Sequence, residues 1–310
     1  MAGYTSPFTD GNDVIRLKSS ESIYFIEALG GDDSVTGTNN WDVINGNAGN
    51  DTLSGRGGQD RLYGNEGNDV LLGGRDNDRL TGGIGNNLID GGDGYDIAAE
   101  GISGSGNFTI TNISIIGPGI NDTLANIEEV FIGAGDGEET SSSHILDASA
   151  FTIGNVFLLA DGNSQDTLIG GKGEDTLVGS AGSDSIIGGD GNDYLYGQEL
   201  FAINDTQAND TLTGGSGADI FVIGGNPASY YTGTDDEATI TDFSLAQGDV
   251  IQVGGGFDLK LEDFGGIGDV KDTAIYREGN LMAVALDTNI INQPDAFNTV
   301  IPSREFGDGY

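Results

Sequence analysis

The chain has 310 residues, among them 55 glycines, no cysteine, and 50 acidic against 11 basic side chains, for a formal net charge of −39. Disulfides and thiolate metal sites are excluded, and nucleic acid is a poor partner because phosphate recognition needs a basic stripe that is absent here. A compact chain this acidic repels itself unless cations sit on it.

Residues 1–27 open with "MAGYTSPFTDGNDVIR", which has neither the basic n-region nor the apolar h-region of an ordinary secretory leader. We read this stretch as an N-terminal cap segment with an isolated early motif, "DGNDVIRL", in which Asp13 precedes Ile15. No segment of the chain approaches the roughly eighteen to twenty apolar residues needed to span a bilayer.

Residues 28–99 repeat with a period of nine: ALGGDDSVT, GTNNWDVIN, GNAGNDTLS, GRGGQDRLY, GNEGNDVLL, GGRDNDRLT, GGIGNNLID, GGDGYDIAA. Position six is Asp33, Asp42, Asp51, Asp60, Asp69, Asp78, Asn87 and Asp96, and position eight is Val35, Ile44, Leu53, Leu62, Leu71, Leu80, Ile89 and Ala98. Glycine tolerates the positive φ angles of tight turns, so the first six residues of a unit predict a turn and the last three a short strand. Side chains alternate along a strand, which places position eight on the core face and positions seven and nine outside.

One buried Leu returns about 1.5 to 3 kcal/mol, whereas ordering a single residue costs about 1 to 2, so a nine-residue unit does not stand by itself. A carboxylate in every glycine turn but that of Asn87 points to a hard cation that takes oxygen ligands. Calcium suits best, since it accepts six to eight oxygens in flexible geometry.

Residues 100–160 lose the glycine period and read as short strands, with alternation in Phe108 and Ile110 and in Ile113 and Ile115. We expect this metal-free β segment to continue the solenoid with wider coils, or to form a small inserted sheet. Its single histidine, His144, is expected to be an ordinary loop or strand residue.

The period returns over residues 161–222 with Asp166, Asp175, Asp184, Asp193, Asp210 and Asp219 at position six. An insertion near 198–207 either loops out or breaks the stack. Apolar residues at the outward positions of this run, among them Ile169, Val178, Ile187, Tyr196 and Val222, are expected to lie under the chain's own segments or against another molecule. Residues 223–310 show period-two patterns with hairpin-like breaks, as in "ATITDFSLAQGDVIQVGG". They predict a C-terminal capping region.

The units "GGKGEDTLV", "GGDGNDYLY" and "GGSGADIFV" resemble the G-G-x-G-x-D-x-U-x nonapeptide of the RTX (repeats-in-toxin, hemolysin-type) calcium-binding family. The resemblance implies an all-β protein, a right-handed parallel β-roll or β-solenoid in two calcium-binding runs, with two units per turn. It also implies calcium between loops stacked on the same side, held by the position-six Asp and by glycine-turn carbonyls.

Carried onto this chain, the stacked pairs are Asp33 with Asp51, Asp42 with Asp60, Asp51 with Asp69, Asp60 with Asp78, Asp166 with Asp184, Asp175 with Asp193, Asp184 with Asp210, and Asp193 with Asp219. Asp96 completes the candidate ligands. Asn87 in place of the carboxylate, and Asn40, Asp76, Ser164 and Ala208 in place of the fourth-position glycine, predict weaker or empty neighbouring sites. Roughly six to ten calcium ions are expected, removing about half of the formal negative charge. The family also offers a C-terminal export signal read by a one-step (type I) system, which fits "ITDF" followed by "GDVI" in the tail and an extracellular or cell-surface location.

Signs of catalysis are lacking: one histidine does not make a two-histidine zinc site, and no G-x-S-x-G elbow occurs. The sequence reads as a non-enzymatic, secreted, calcium-binding structural protein of a surface, matrix or filament, with self-association as its partner interaction. A calcium-dependent adhesin or extracellular polysaccharide binder is the second reading, and a secreted carbohydrate-active enzyme the third.

Overall fold

A computed structural model describes residues 9–18, 24–102, 106–134, 143–160, 164–197, 209–223, 237–253, 258–262, 272–277, 280–286, 288–290, 293 and 296–298. Every regular element among them is a β-strand. No helix among the described residues is long and apolar enough to cross a membrane. The chain divides into two compact units, one of residues 1–101, 108–132 and 150–154, the other of residues 102–107, 133–149 and 155–310.

In the first unit successive repeats alternate between two parallel sheets, so a strand pairs with the strand eighteen residues ahead of it, or twenty for Val14–Arg16. One sheet runs Val14–Arg16, Ser34–Thr36, Thr52–Gly57, Val70–Arg75, Leu88–Asp93. The other runs Tyr24–Glu27, Asp42–Ala48, Arg61–Glu66, Arg79–Ile84, Ile97–Ile102. The register is in phase with the repeat: Val35 lies beside Leu53 and Leu53 beside Leu71, while Ile44 lies beside Leu62 and Leu62 beside Leu80.

These position-eight side chains form the core, fully buried from Ile44 through Ala98. A slip of one residue would turn the whole apolar column outward, which is why a single Leu per unit suffices to set the register.

The segment 100–160 is divided. Ile120–Ala125 pairs in parallel with Leu88–Asp93, then Ser114–Gly117 and Asn107–Thr111 add as antiparallel strands. This small meander ends the first roll with Phe108, Ile110 and Ile115 buried. Ile145–Ala150 and Asn155–Leu159 instead open the second unit, in parallel with Thr167–Ile169 and Thr176–Val178.

The second roll continues through Ser185–Asp190, Asn209–Ser216 and Glu237–Ile240 on one sheet, and through Tyr194–Tyr196, Ile220–Val222 and Val250–Gln252 on the other. The insertion leaves the stack unbroken, because Ile186 lies beside Leu212 although twenty-six residues separate them. Residues 198–208 themselves lie outside the described residues. An antiparallel set, Asp258–Glu262, Asp272–Arg277 and Asn280–Ala285, follows Glu237–Ile240 and caps this sheet. Of the outward apolar residues, Val178, Tyr196 and Val222 are buried within the chain itself, and Ile169 and Ile187 are half-buried.

Candidate calcium-binding turns

Each glycine turn carries its Asp from one sheet to the other, and the turns of successive coils stack in columns. Within a column the backbone N–H of one position-six Asp donates to Oδ1 of the next: Asp33 to Asp51 at 2.7 Å, Asp51 to Asp69 at 2.7 Å, Asp42 to Asp60 at 2.8 Å, Asp60 to Asp78 at 2.7 Å and Asp78 to Asp96 at 2.8 Å. The second roll repeats this from Asp166 to Asp184, Asp184 to Asp210 and Asp175 to Asp193 at 2.8 Å, and from Asp193 to Asp219 at 2.9 Å. All the pairs expected from the repeat are brought together. One carboxylate oxygen is thereby committed to the ladder.

The other oxygen is the informative one. Oδ2 of Asp33, Asp51, Asp60, Asp69, Asp78, Asp96, Asp193 and Asp219 is buried and makes no hydrogen bond among the described residues. A buried polar group in this condition costs free energy, and a buried charge costs more, unless something of opposite charge meets it.

Glycine at position one is what lets these oxygens come close, because a side chain there would collide with them. A Cβ added to Gly73 would lie 2.5 Å from Asp78 Oδ2 and 2.5 Å from the carbonyl oxygen of Gly91 in the next coil. At Gly64 the same point falls 2.6 Å from the Gly82 carbonyl and against Asp69 Oδ2, and at Gly188 it falls 2.5 Å from the Gly214 carbonyl and against Asp193 Oδ2. Carboxylate and carbonyl oxygens converge on a space that only glycine leaves open.

No three His, Asp or Glu side chains among the described residues gather into a ready metal cluster. A cation held here takes backbone carbonyls as well as carboxylates. That donor set is all oxygen, which suits calcium.

Burial is the main influence on these acids. It pushes Asp51, Asp96 and Asp219 up to about 6, Asp78 and Asp193 to about 7, and Asp60 to about 8. The N–H from the preceding coil offsets part of the rise, and the negative charge of neighbouring acids adds to it. Without a cation the stacked carboxylates are thus driven toward their protonated form.

Departures from the repeat have atomic consequences. Thr38 donates to Asp42 Oδ2 through its N–H at 2.6 Å and its hydroxyl at 3.0 Å, in the turn where Asn40 replaces glycine. Gly171 N–H donates to Asp175 Oδ2 at 2.6 Å, and the Ser164 hydroxyl lies 3.3 Å from Asp166 Oδ2. Asp76 retains the left-handed backbone that glycine would supply, with φ of 72°. Ala208 lies outside the described residues.

The structure adds acids that the period alone does not mark. Asp122 Oδ1 accepts from Asn87 N–H at 3.1 Å, and Asp249 Oδ1 accepts from Asp219 N–H at 3.1 Å, so each occupies the sixth place of a further rung. Glu100 and Asp242 occupy the first place of those same rungs. Glu100 accepts from Gly82 and Gly83 N–H at 2.6 and 3.0 Å, and Asp242 from Gly214 and Gly215 N–H at 2.9 and 2.8 Å. Burial raises Glu100 well above the usual carboxylate range, and the charge of Asp122 beside it raises it further.

His144 also stands in a sixth place, buried, with its N–H donating to Asp166 Oδ1 at 2.6 Å. The signal for Asp122 was present: "NDTL" at 121–124 is the same tetrapeptide as at 50–53 and 209–212.

Comparison with known proteins agrees with the geometry. The profile of the RTX calcium-binding nonapeptide repeat (4 copies) matches residues 25–53, 36–71, 63–98, 169–199 and 203–225. No curated protein matches. Among solved structures, the extracellular lipase LipA from Serratia marcescens aligns over 93% of this chain and 42% of its own, at 16% identity and a TM-score of 0.27. The chain thus spans less than half the length of that protein. The described residues among those matched lie in the strands and stacked turns of both rolls, and this chain carries RTX calcium-binding nonapeptide repeats folded as a parallel β-roll.

Proposed function

We propose that this is a secreted structural protein that folds when it meets extracellular calcium and serves in a surface, matrix or filament. The observation that carries the reading is the row of buried Oδ2 atoms without a donor, converging at Asp51, Asp69, Asp78 and Asp193 with a glycine carbonyl of the next coil. Asp33, Asp51, Asp60, Asp69, Asp78 and Asp96 supply the ligands of the first roll, and Asp184, Asp193, Asp210 and Asp219 the principal ones of the second. Asp42, Asp166 and Asp175 have hydroxyl or N–H donors close at hand and bind more weakly.

Roughly six to ten ions fill these gaps. Extracellular calcium modules commonly have dissociation constants of about 10⁻⁴ to 10⁻³ M, so cytosolic calcium leaves the sites empty and the chain can leave the cell unfolded. Residues 223–310 would then combine the cap with a C-terminal export signal.

Circular dichroism with and without chelator at pH 8 tests the folding step: most of the β structure is expected to appear only with millimolar calcium, and a chelated chain with as much β structure as the calcium-loaded one contradicts the proposal. Light scattering tests the structural role. Calcium-dependent polymerisation is expected, and a chain that stays monomeric at all calcium concentrations removes the filament and layer reading.

A further inference from the structure

Asn87 is the one residue among the sixth positions of the two runs that is not an acid, and its surroundings differ from those of an acid in a definite way. Its Oδ1 accepts from Asp69 N–H at 2.8 Å, as the Asp it replaces would. Its Nδ2 donates to Asp122 Oδ1 at 2.8 Å and to the Gly83 carbonyl at 3.2 Å. A stacked carboxylate and a glycine-turn carbonyl are the two kinds of oxygen that converge in the regular gaps. Here they converge on an amide nitrogen.

The position agrees as well. Asn87 Nδ2 lies 2.6 Å from the point where a Cβ on Gly82 would stand, and Asp78 Oδ2 lies 2.5 Å from the corresponding point at Gly73. The two hydrogens of the amide point to acceptors that a metal would otherwise bridge, and their positive ends repel a divalent ion. Glu100 accepts from Gly82 and Gly83 N–H beside the gap, and Asp122 Oδ2, buried without a hydrogen bond among the described residues, lies 3.0 Å from the same point as the amide.

We propose that the Asn87 side-chain amide is a built-in substitute for the cation, so that the gap between residues 82–87 and the rung of Glu100 and Asp122 closes without calcium. The end of the first roll is then a metal-independent platform on which the preceding calcium-dependent coils stack. This rests on calcium being the occupant of the regular gaps.

The test compares the full chain with Asn87→Asp and Asn87→Ala. Native mass spectrometry at saturating calcium is expected to show one more bound ion in Asn87→Asp than in the wild type, and no additional ion in Asn87→Ala. Hydrogen exchange in chelator is expected to find Gly82, Gly83 and Thr123 N–H protected in the wild type, with exchange faster by about tenfold or more in both variants. Added calcium restores protection in Asn87→Asp and not in Asn87→Ala.

An unchanged ion count in a folded Asn87→Asp chain overturns the proposal. So does an unprotected wild-type gap in chelator. Should Asn87→Asp fail to fold, Asn87→Ala decides, and protection equal to that of the wild type overturns the idea. A wild-type chain that binds no calcium at all would instead sink the reading of the regular turns.

Discussion

Leu62 offers a way to measure how many ions act together. It is fully buried between Ile44 and Leu80 of the neighbouring coils, in the middle of the first roll. Replacing it with Ala removes the only core side chain of its unit and leaves a cavity that the stacked backbone cannot close, at a cost of about 2 to 5 kcal/mol. Folding and calcium binding are linked, so this loss appears as a rise in the calcium concentration at the folding midpoint.

If one ion were coupled to folding, that rise would be about thirty-fold or more, at 1.36 kcal/mol per factor of ten. Among the described residues the repeats of the first roll have six Asp whose Oδ2 lacks a donor, Asp33, Asp51, Asp60, Asp69, Asp78 and Asp96, and Asp122 on the closing rung is a seventh. Dividing the cost over about six ions reduces the shift to about two- to four-fold. The assay is a circular dichroism titration of Leu62→Ala and wild type in calcium buffers, read at half-folding. A shift beyond about tenfold would refute the cooperative column of sites, and no shift would refute the single-seam core.

Gly73→Ala is expected to lower the bound calcium count by one and to weaken the binding of the rest, because its Cβ falls 2.5 Å from both Asp78 Oδ2 and the Gly91 carbonyl. Gly101→Ala, where an added Cβ meets nothing within 4 Å, is the control and should leave the titration unchanged. Acidity should act in opposite directions with and without metal. Folded-state values raised to about 6 at Asp51, 7 at Asp78 and 8 at Asp60 mean that the metal-free fold holds more protons than the unfolded chain. Their stabilising contribution is fully present below the ordinary carboxylate range and is lost as pH rises through about 6 to 8. In chelator, β structure should therefore be greater at pH 5 than at pH 8, while the calcium midpoint should rise on acidification because protons compete for the same oxygens. A chelated chain equally unstructured at both pH values would contradict the burial of these acids.

What could be read from the sequence is what the nine-residue period controls. The position-eight seam follows from alternation within strands, and the stacking of acids eighteen residues apart from the two units per turn that the RTX resemblance implies. The insertion around 198–207 did not disturb this, since Asp184 N–H still reaches Asp210 Oδ1 at 2.8 Å across twenty-six residues. The rungs that were missed are those whose first and sixth places are far apart in the chain. Glu100 and Asp122 form one rung only after an antiparallel meander intervenes between them. Asp242 and Asp249 are separated by a longer turn that replaces the opening glycine with acid. His144 carries no chemical likeness to the Asp whose place it takes, and only the pairing of Ile145 with Thr167 reveals it.

The two missed rungs also explain where the glycine turns stop. In a regular coil the N–H of position one donates to a backbone carbonyl of the next coil, as Gly37 does to Ser54 and Gly170 to Ile187. At Gly82 and Gly214 the chain departs from the repeat at the corresponding place, and the acceptor is instead a side-chain carboxylate, Glu100 in the first roll and Asp242 in the second. A carboxylate accepts from both position one and position two, which a single backbone carbonyl does not match in that turn. An acid in place of the first glycine thus satisfies both N–H groups of the last turn, so that the repeat ends on the same carboxylate-to-N–H bonding that builds its ladders.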